Sequence, residues 1–192
     1  MTSMQKSKSI HMVMLLCVIS VLGSCNNDKE LALSMKEFYS RRIVVPYSEK
    51  DRTFCSFYSD TILSGKKWHY FTVIDGSDCQ SCEIGKMGTT EKENIERIPQ
   101  LEFAYIVNAS KDDYQYVYRK LCNARIEGTV YIDTCEAFYR ANPKFPESKL
   151  FRSFVIDDGG KVLFVGNPFK NEKMEALFLK ILDREKQRKK AV

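Results

Sequence analysis

Histidine is scarce in this chain: there are two in 192 residues, and only His69 lies beyond Cys25. It falls inside an apolar run and reads as structural, so hydrolysis through a Ser-His-Asp or Cys-His arrangement would hang on that single side chain. Gly-rich phosphate loops and an H-E-x-x-H pattern are both missing, which removes the usual nucleotide and zinc-peptidase signatures. Internal repeats and low-complexity tracts are absent too, so a solenoid or a disordered chain is excluded. Acidic and basic residues nearly balance, at a net charge of +5, and basic residues crowd only between Arg184 and Lys190. A basic run closing a helix suits the negative pole of its dipole, and no nucleic-acid partner is expected.

What is present begins at the N-terminus. Lys6 and Lys8 precede Ile10 to Leu22, a stretch apolar apart from His11 and Ser20. It is short for a bilayer span and fits the core of a signal peptide. It ends Leu22-Gly23-Ser24-Cys25, which resembles the lipobox of bacterial lipoproteins. The resemblance implies a signal peptide over 1–24, cleavage before Cys25 and lipidation of its sulfur. The protein would then be anchored on a membrane of the bacterial cell envelope, facing the periplasm or the cell surface. An ordinary secretory signal or a plain anchor helix is the alternative. Either puts the domain outside the cytoplasm, where disulfides persist.

Seven cysteines divide accordingly. Cys17 lies in the removed segment and Cys25 would carry lipid. Cys55, Cys79, Cys82, Cys122 and Cys135 remain, an odd number that leaves at least one thiol unpaired within the chain.

The remaining pattern alternates strands and helices. After a polar tether, Leu31, Met35, Phe38 and Tyr39 predict an amphipathic helix over about 30–42. Ile43-Val44-Val45 is a short strand candidate, and Thr53 to Tyr58 another, carrying Cys55. Trp68 to Ile74 is a nearly continuous apolar run, as expected of a strand buried on both faces. Asp75-Gly76-Ser77-Asp78 forms a turn, and a helix follows from about Gln80 to Arg97, weakened by Gly85 and Gly88 and ended by Pro99. Leu101 to Val107 is the next strand. Ser110 to Asp113 has capping-box spacing ahead of a helix with Tyr114, Val117, Tyr118, Leu121 and Cys122 on one face. Thr129 to Ile132 is a short strand and Thr134 to Ala141 a short helix. Phe151 to Ile156 and Val162 to Val165 flank Asp157-Asp158-Gly159-Gly160, a hairpin signal. Asn171 caps a last helix.

Cys79-Gln80-Ser81-Cys82 after the first core strand, Phe154-Val155-Ile156-Asp157 with Gly159-Gly160-Lys161-Val162, and Gly166-Asn167-Pro168 together resemble thioredoxin-like, TlpA-type domains. The resemblance implies an α/β fold over 43–192, a central mixed sheet with helices on both faces. Residues 25–42 would form a lipidated tether and helix before it. It implies a thiol–disulfide oxidoreductase in which Cys79 attacks and Cys82 resolves, with protein thiols or disulfides, or a membrane electron donor, as partners.

Two features depart from the family pattern. Asp78, with Asp75 before it and Glu83 after the motif, stands where an aromatic residue often precedes the first Cys, and nearby carboxylates disfavour a thiolate. Phe151-Arg152-Ser153 occupies the place of the family's cis-proline. A second reading therefore stays open: a non-catalytic lipoprotein with a structural Cys79–Cys82 bond and a binding or assembly role. Cys122 and Cys135 are either buried free thiols or a second disulfide, the latter favoured in an oxidising compartment. No cofactor or metal is expected, because zinc would need a second close pair of soft ligands and Cys122 and Cys135 are too far apart in sequence.

Overall fold

The computed structural model describes residues 29–46, 55–56, 67–75, 80–124 and 126–190. It divides into two compact units, residues 1–38 and 39–192. The predicted signal segment, Cys25 and the turn residues 76–79 lie outside the described residues. Residues 29–39 are helical (α1). Of the predicted apolar stripe, Phe38 is buried and Met35 half-buried, whereas Leu31 is exposed.

The second unit is organised by six strands: β1 (Cys55–Ser56), β2 (Trp68–Ile74), β3 (Leu101–Asn108), β4 (Thr129–Asp133), β5 (Ser153–Asp157) and β6 (Val162–Val165). Their order across the sheet is β1-β4-β3-β2-β5-β6. β2, β3 and β4 run parallel, while β1, β5 and β6 pair antiparallel to their neighbours. The helices are α2 (Gln80–Asn94), α3 (Tyr114–Ala124), α4 (Ala137–Ala141) and α5 (Glu172–Lys190), with a 3-10 turn at Lys149–Arg152.

Central strands buried on both faces read as unbroken apolar runs. Every residue of β2 except Thr72 is buried, as is all of β3 up to Val107. Alternate side chains then feed two cores. Trp68, Tyr70 and Ile74 share one with Ile84 and Met87 of α2, Val117 and Leu121 of α3, and Phe178 and Leu182 of α5. Phe71 turns the other way and stacks on Phe154, which meets Phe145 beside Phe138 of α4. Helices thus cover both faces.

The buried row also contains charge. Glu102 sits opposite His69 in the β2–β3 register. Its carboxylate lies 3.0 Å from His69 Nδ1 and accepts a 2.8 Å hydrogen bond from the Thr129 hydroxyl of β4. Burying a carboxylate is tolerated only when its oxygens are satisfied in this way.

Local chemistry explains the element ends. Asp157 Oδ1 accepts from the backbone N–H of Gly159 and of Lys161, both at 2.9 Å, and Gly160 takes φ +79°, closing the β5–β6 hairpin. Asn171 caps α5 by accepting from Met174 N at 3.0 Å. Ser110 accepts from Asp113 N at 3.1 Å and donates to its carboxylate at 2.7 Å, ahead of α3.

Several expectations change: the helix expected from Thr134 starts at Ala137, and the strand expected from Phe151 starts at Ser153, after the 3-10 turn. The helix after the C-x-x-C stops at Asn94, where Asn94 turns its amide back to the Thr90 carbonyl (2.8 Å), and does not reach Arg97. Gly88 is a packing requirement in that helix: a Cβ there would stand 2.8 Å from the Ala124 carbonyl oxygen of α3. Ile43-Val44-Val45 forms no strand. Its backbone is held instead by an Arg42–Lys161 bridge, a 2.8 Å bond from Ile43 N to the Gly160 carbonyl, and the Asn142 amide, which accepts from Val44 N at 2.9 Å and donates to the Val44 carbonyl at 2.7 Å.

Candidate functional site at the carboxyl edge of the parallel strands

The parallel register aligns the ends of β2, β3 and β4. Asp75 follows β2, Asn108 closes β3 and Asp133 closes β4. The C-x-x-C is placed by its flanks: β2 ends at Ile74, α2 begins at Gln80, and Cys82 lies in the first helical turn. Cys79 itself falls outside the described residues. A thiol directly before a helix N-terminus meets unpaired N–H groups and the positive end of the dipole, which favour its thiolate.

Asp75 is the hub of this edge. Its Oδ1 accepts from Asn108 Nδ2 at 2.7 Å and from the Tyr139 hydroxyl at 2.8 Å. Its Oδ2 is ion-paired with Arg152 Nη2 at 2.5 Å, and both side chains are largely shielded from solvent. Arg152 ends the 3-10 turn, and Ser153 follows it opposite Thr72 in the β2–β5 register. Phe151-Arg152-Ser153, where a cis-proline was expected, thus spans the end of this turn and the start of β5, and among the described residues no peptide bond is cis. One carboxylate joins four segments: the end of β2, the end of β3, α4 and the turn before β5.

Two of the three acids that flank the motif are ion-paired. Asp75 is charge-compensated by Arg152, and Glu83 pairs with Lys86 at 2.8 Å on the exposed side of α2. Each of these two acids has an opposite charge beside it, and Asp78 lies outside the described residues.

Asp133 shapes the adjoining corner. Its buried carboxylate accepts from Cys135 N (3.1 Å), Ala137 N (3.0 Å) and Phe138 N (2.9 Å), capping α4 from four residues back. Glu136 takes a left-handed φ of 56°, a conformation unusual for a side chain with a Cβ, to let the chain enter that helix.

Of the two readings open for Cys122 and Cys135, the disulfide is not formed; both thiols are half-buried. The topology explains why. β4 runs parallel to β3, so α3 runs back between them and its last turn, with Cys122, lies towards the start of β4. Cys135 lies beyond the end of β4. Five strand residues separate the two ends by about 16 Å, whereas a disulfide needs Cα atoms within about 7 Å. Cys135 shares the carboxyl edge with Asp75, and Arg140 Nη2 contacts its sulfur at 3.5 Å. Cys122 does not belong to the site. Among the described residues no group of three His, Cys, Asp or Glu side chains could hold a metal ion.

Sequence reasoning found Asp75 as a neighbour of the motif, named Arg152 only within Phe151-Arg152-Ser153, and missed Asn108 and Tyr139. The one visible signal was an arginine where the family pattern has proline.

No protein-family model and no curated protein matches the chain. Solved structures do. A thioredoxin-like protein studied in its oxidised form in solution superposes with a TM-score of 0.51 at 14% identity, covering 75% of this chain and 96% of that one. An uncharacterised thioredoxin-like protein from Porphyromonas gingivalis gives 0.43 at 14% identity, covering 62% and 76%. A secreted disulfide oxidoreductase of Mycobacterium tuberculosis gives 0.37 at 14%, covering 62% and 82%. The fold of this chain is thioredoxin-like.

Proposed function

We propose that the protein is a membrane-anchored thiol–disulfide oxidoreductase of the bacterial cell envelope, tethered through lipidated Cys25. The observation that carries this is the position of Cys79-Gln80-Ser81-Cys82, between the end of β2 and the first turn of α2 in a thioredoxin-like sheet. The Cys79 thiolate attacks one sulfur of a substrate disulfide; that S–S bond breaks and the second substrate sulfur leaves as a thiolate. Cys82 then attacks the Cys79 sulfur of the mixed disulfide, releasing the substrate dithiol and leaving a Cys79–Cys82 disulfide. The protein is oxidised by two electrons as the substrate is reduced, and a dithiol donor, protein or membrane-bound, restores it. The same steps run backwards oxidise a substrate dithiol.

A second reading is a binding or assembly lipoprotein in which the Cys79–Cys82 bond is inert; Arg152 in place of a cis-proline favours it. The reduction potential of the pair decides between them. A value far below about −300 mV marks an inert structural bond and sinks the catalytic reading. Disulfide exchange with a generic substrate, lost in Cys79→Ser, supports it. For the anchor, Cys25→Ala is expected to leave the membrane fraction, and retention there would count against lipidation.

A further inference from the structure

The last helix carries a charge pattern that its own ends do not explain. Phe178 and Leu182 of α5 are buried in the core, with Met174 and Ile181 packed against it. At 3.6 residues per turn, Lys173, Leu177, Lys180, Arg184 and Arg188 fall on one stripe along the helix flank. All five are exposed, and no acidic residue falls on that stripe. Of the acids of α5, Glu172 begins the helix, Glu175 pairs with Arg97, Asp183 with Lys186, and Glu185 with Lys161 and Arg188. Lys173, Lys180 and Arg184 pair with none of them. The helix dipole accounts for cations in the last turn only. Lys173 stands in the first turn, where the dipole disfavours it, and Lys180 stands in the middle. Cations spread over about four turns, with a leucine among them, complement a surface that is negative outside and apolar just beneath. A layer of anionic lipid headgroups has that make-up.

Chain length favours that occupant over a nucleic acid. From a lipidated Cys25, four residues reach Lys29 across at most about 14 Å, and the helix over 29–39 adds about 16 Å. Tyr39, where the second unit begins, is thus held within roughly 30 Å of the anchor. A weak attraction to the bilayer then acts at high effective concentration. We propose that this stripe of α5 docks the domain on anionic lipid headgroups through Lys173, Lys180, Arg184 and Arg188, with Leu177 entering the headgroup layer. The proposal rests on the lipoprotein reading for the presence of the membrane and on α5 for the contact. Its consequence is an orientation: the side of the sheet that carries α5 faces the bilayer, and the side that carries α4 faces away.

The test uses the full-length chain carrying Cys25→Ala, which takes no lipid. Co-sedimentation is followed with vesicles of phosphatidylcholine alone and of phosphatidylcholine with roughly one third phosphatidylglycerol. The readout is the difference between the two compositions, so insertion of the apolar N-terminal stretch into either one cancels. Tighter binding to the anionic vesicles is expected, weakening as salt is raised. Lys180→Gln with Arg184→Gln should lower that affinity roughly 10- to 30-fold, at about fivefold per charge. Lys144→Gln with Lys149→Gln, between α4 and β5, removes the same charge elsewhere and should change it less than about twofold. All four positions are exposed, so neither pair threatens the fold. Equal binding to both compositions would overturn the proposal. Equal losses in the two double variants would overturn it as well, since net charge alone would then be the cause. So would tighter binding to duplex DNA than to the anionic vesicles at the same salt. A high-salt wash strips the stripe and leaves a lipid anchor in place, so washed membrane fractions test Cys25 separately. Retention of Cys25→Ala after that wash would sink the anchor and leave the vesicle result standing.

Discussion

His69 Nδ1 lies 3.0 Å from Glu102 Oε2 in the middle of the sheet, with both side chains almost wholly buried. The other carboxylate oxygen is held by Thr129 at 2.8 Å, so three adjacent strands are tied by one acidic side chain. Removing one member of a buried ionisable pair strands the other. Glu102→Ala should therefore destabilise the domain by about 3 kcal/mol. Thr129→Val should cost only about 1 kcal/mol, a single hydrogen bond. Urea midpoints check both, and equal losses would show that the carboxylate is not the centre of the row.

Asp133 gives a second prediction. Three backbone amides at the start of α4 converge on one buried carboxylate. Asp133→Ala should cost about 2 kcal/mol, as expected for a lost helix cap whose donors are left in a dry site. Amide exchange at 135–138 should quicken before the sheet is affected. Protection unchanged at those amides would refute the capping role.

The tyrosines set an alkaline limit. Burial raises the phenols of Tyr105, Tyr70 and Tyr39, and at Tyr105 the nearby Glu91 charge adds to the effect. In the unfolded chain phenols ionise near pH 10. A raised folded-state value means that the folded protein keeps its proton longer. The contribution to stability is whole below about pH 10 and is lost as pH climbs beyond it. Urea midpoints should fall above that pH, and less steeply in Tyr105→Phe. An identical slope in that variant would exclude Tyr105 as a source.

Cys122 and Cys135 are expected not to be joined by a disulfide. Iodoacetamide applied to the unfolded protein without reductant should modify both, and a linked peptide pair joining them would contradict the topology. Cys122→Ser should leave the urea midpoint within about half a kcal/mol, as for a half-exposed surface substitution.

The two ends of the chain's logic were legible to different degrees. The strand Trp68 to Ile74, the hairpin at 157–160 and the Asn171 cap depend on neighbours a few residues away, and a hydrophobic period or a turn residue reports them directly. The interior helix Gly88 was read as a weakness, because the backbone of Ala124 that comes against it is 36 residues distant. Ile43 to Val45 has strand composition, but a strand also requires a partner along its length, and the hairpin offers it only one bridge.

The sequence by itself determined the thioredoxin-like order of elements and the position of the C-x-x-C between β2 and α2, since both follow from local periodicity and turn chemistry. Tertiary structure alone decided what gathers on Asp75 at the end of β2. Asp75, Asn108, Tyr139 and Arg152 meet only because parallel strands end together and an antiparallel strand begins beside them. The same topology keeps Cys122 and Cys135 apart although both are cysteines of one short segment. Charge pairing and disulfide bonding depend on distances of a few ångströms, and those are set by how the sheet is wound.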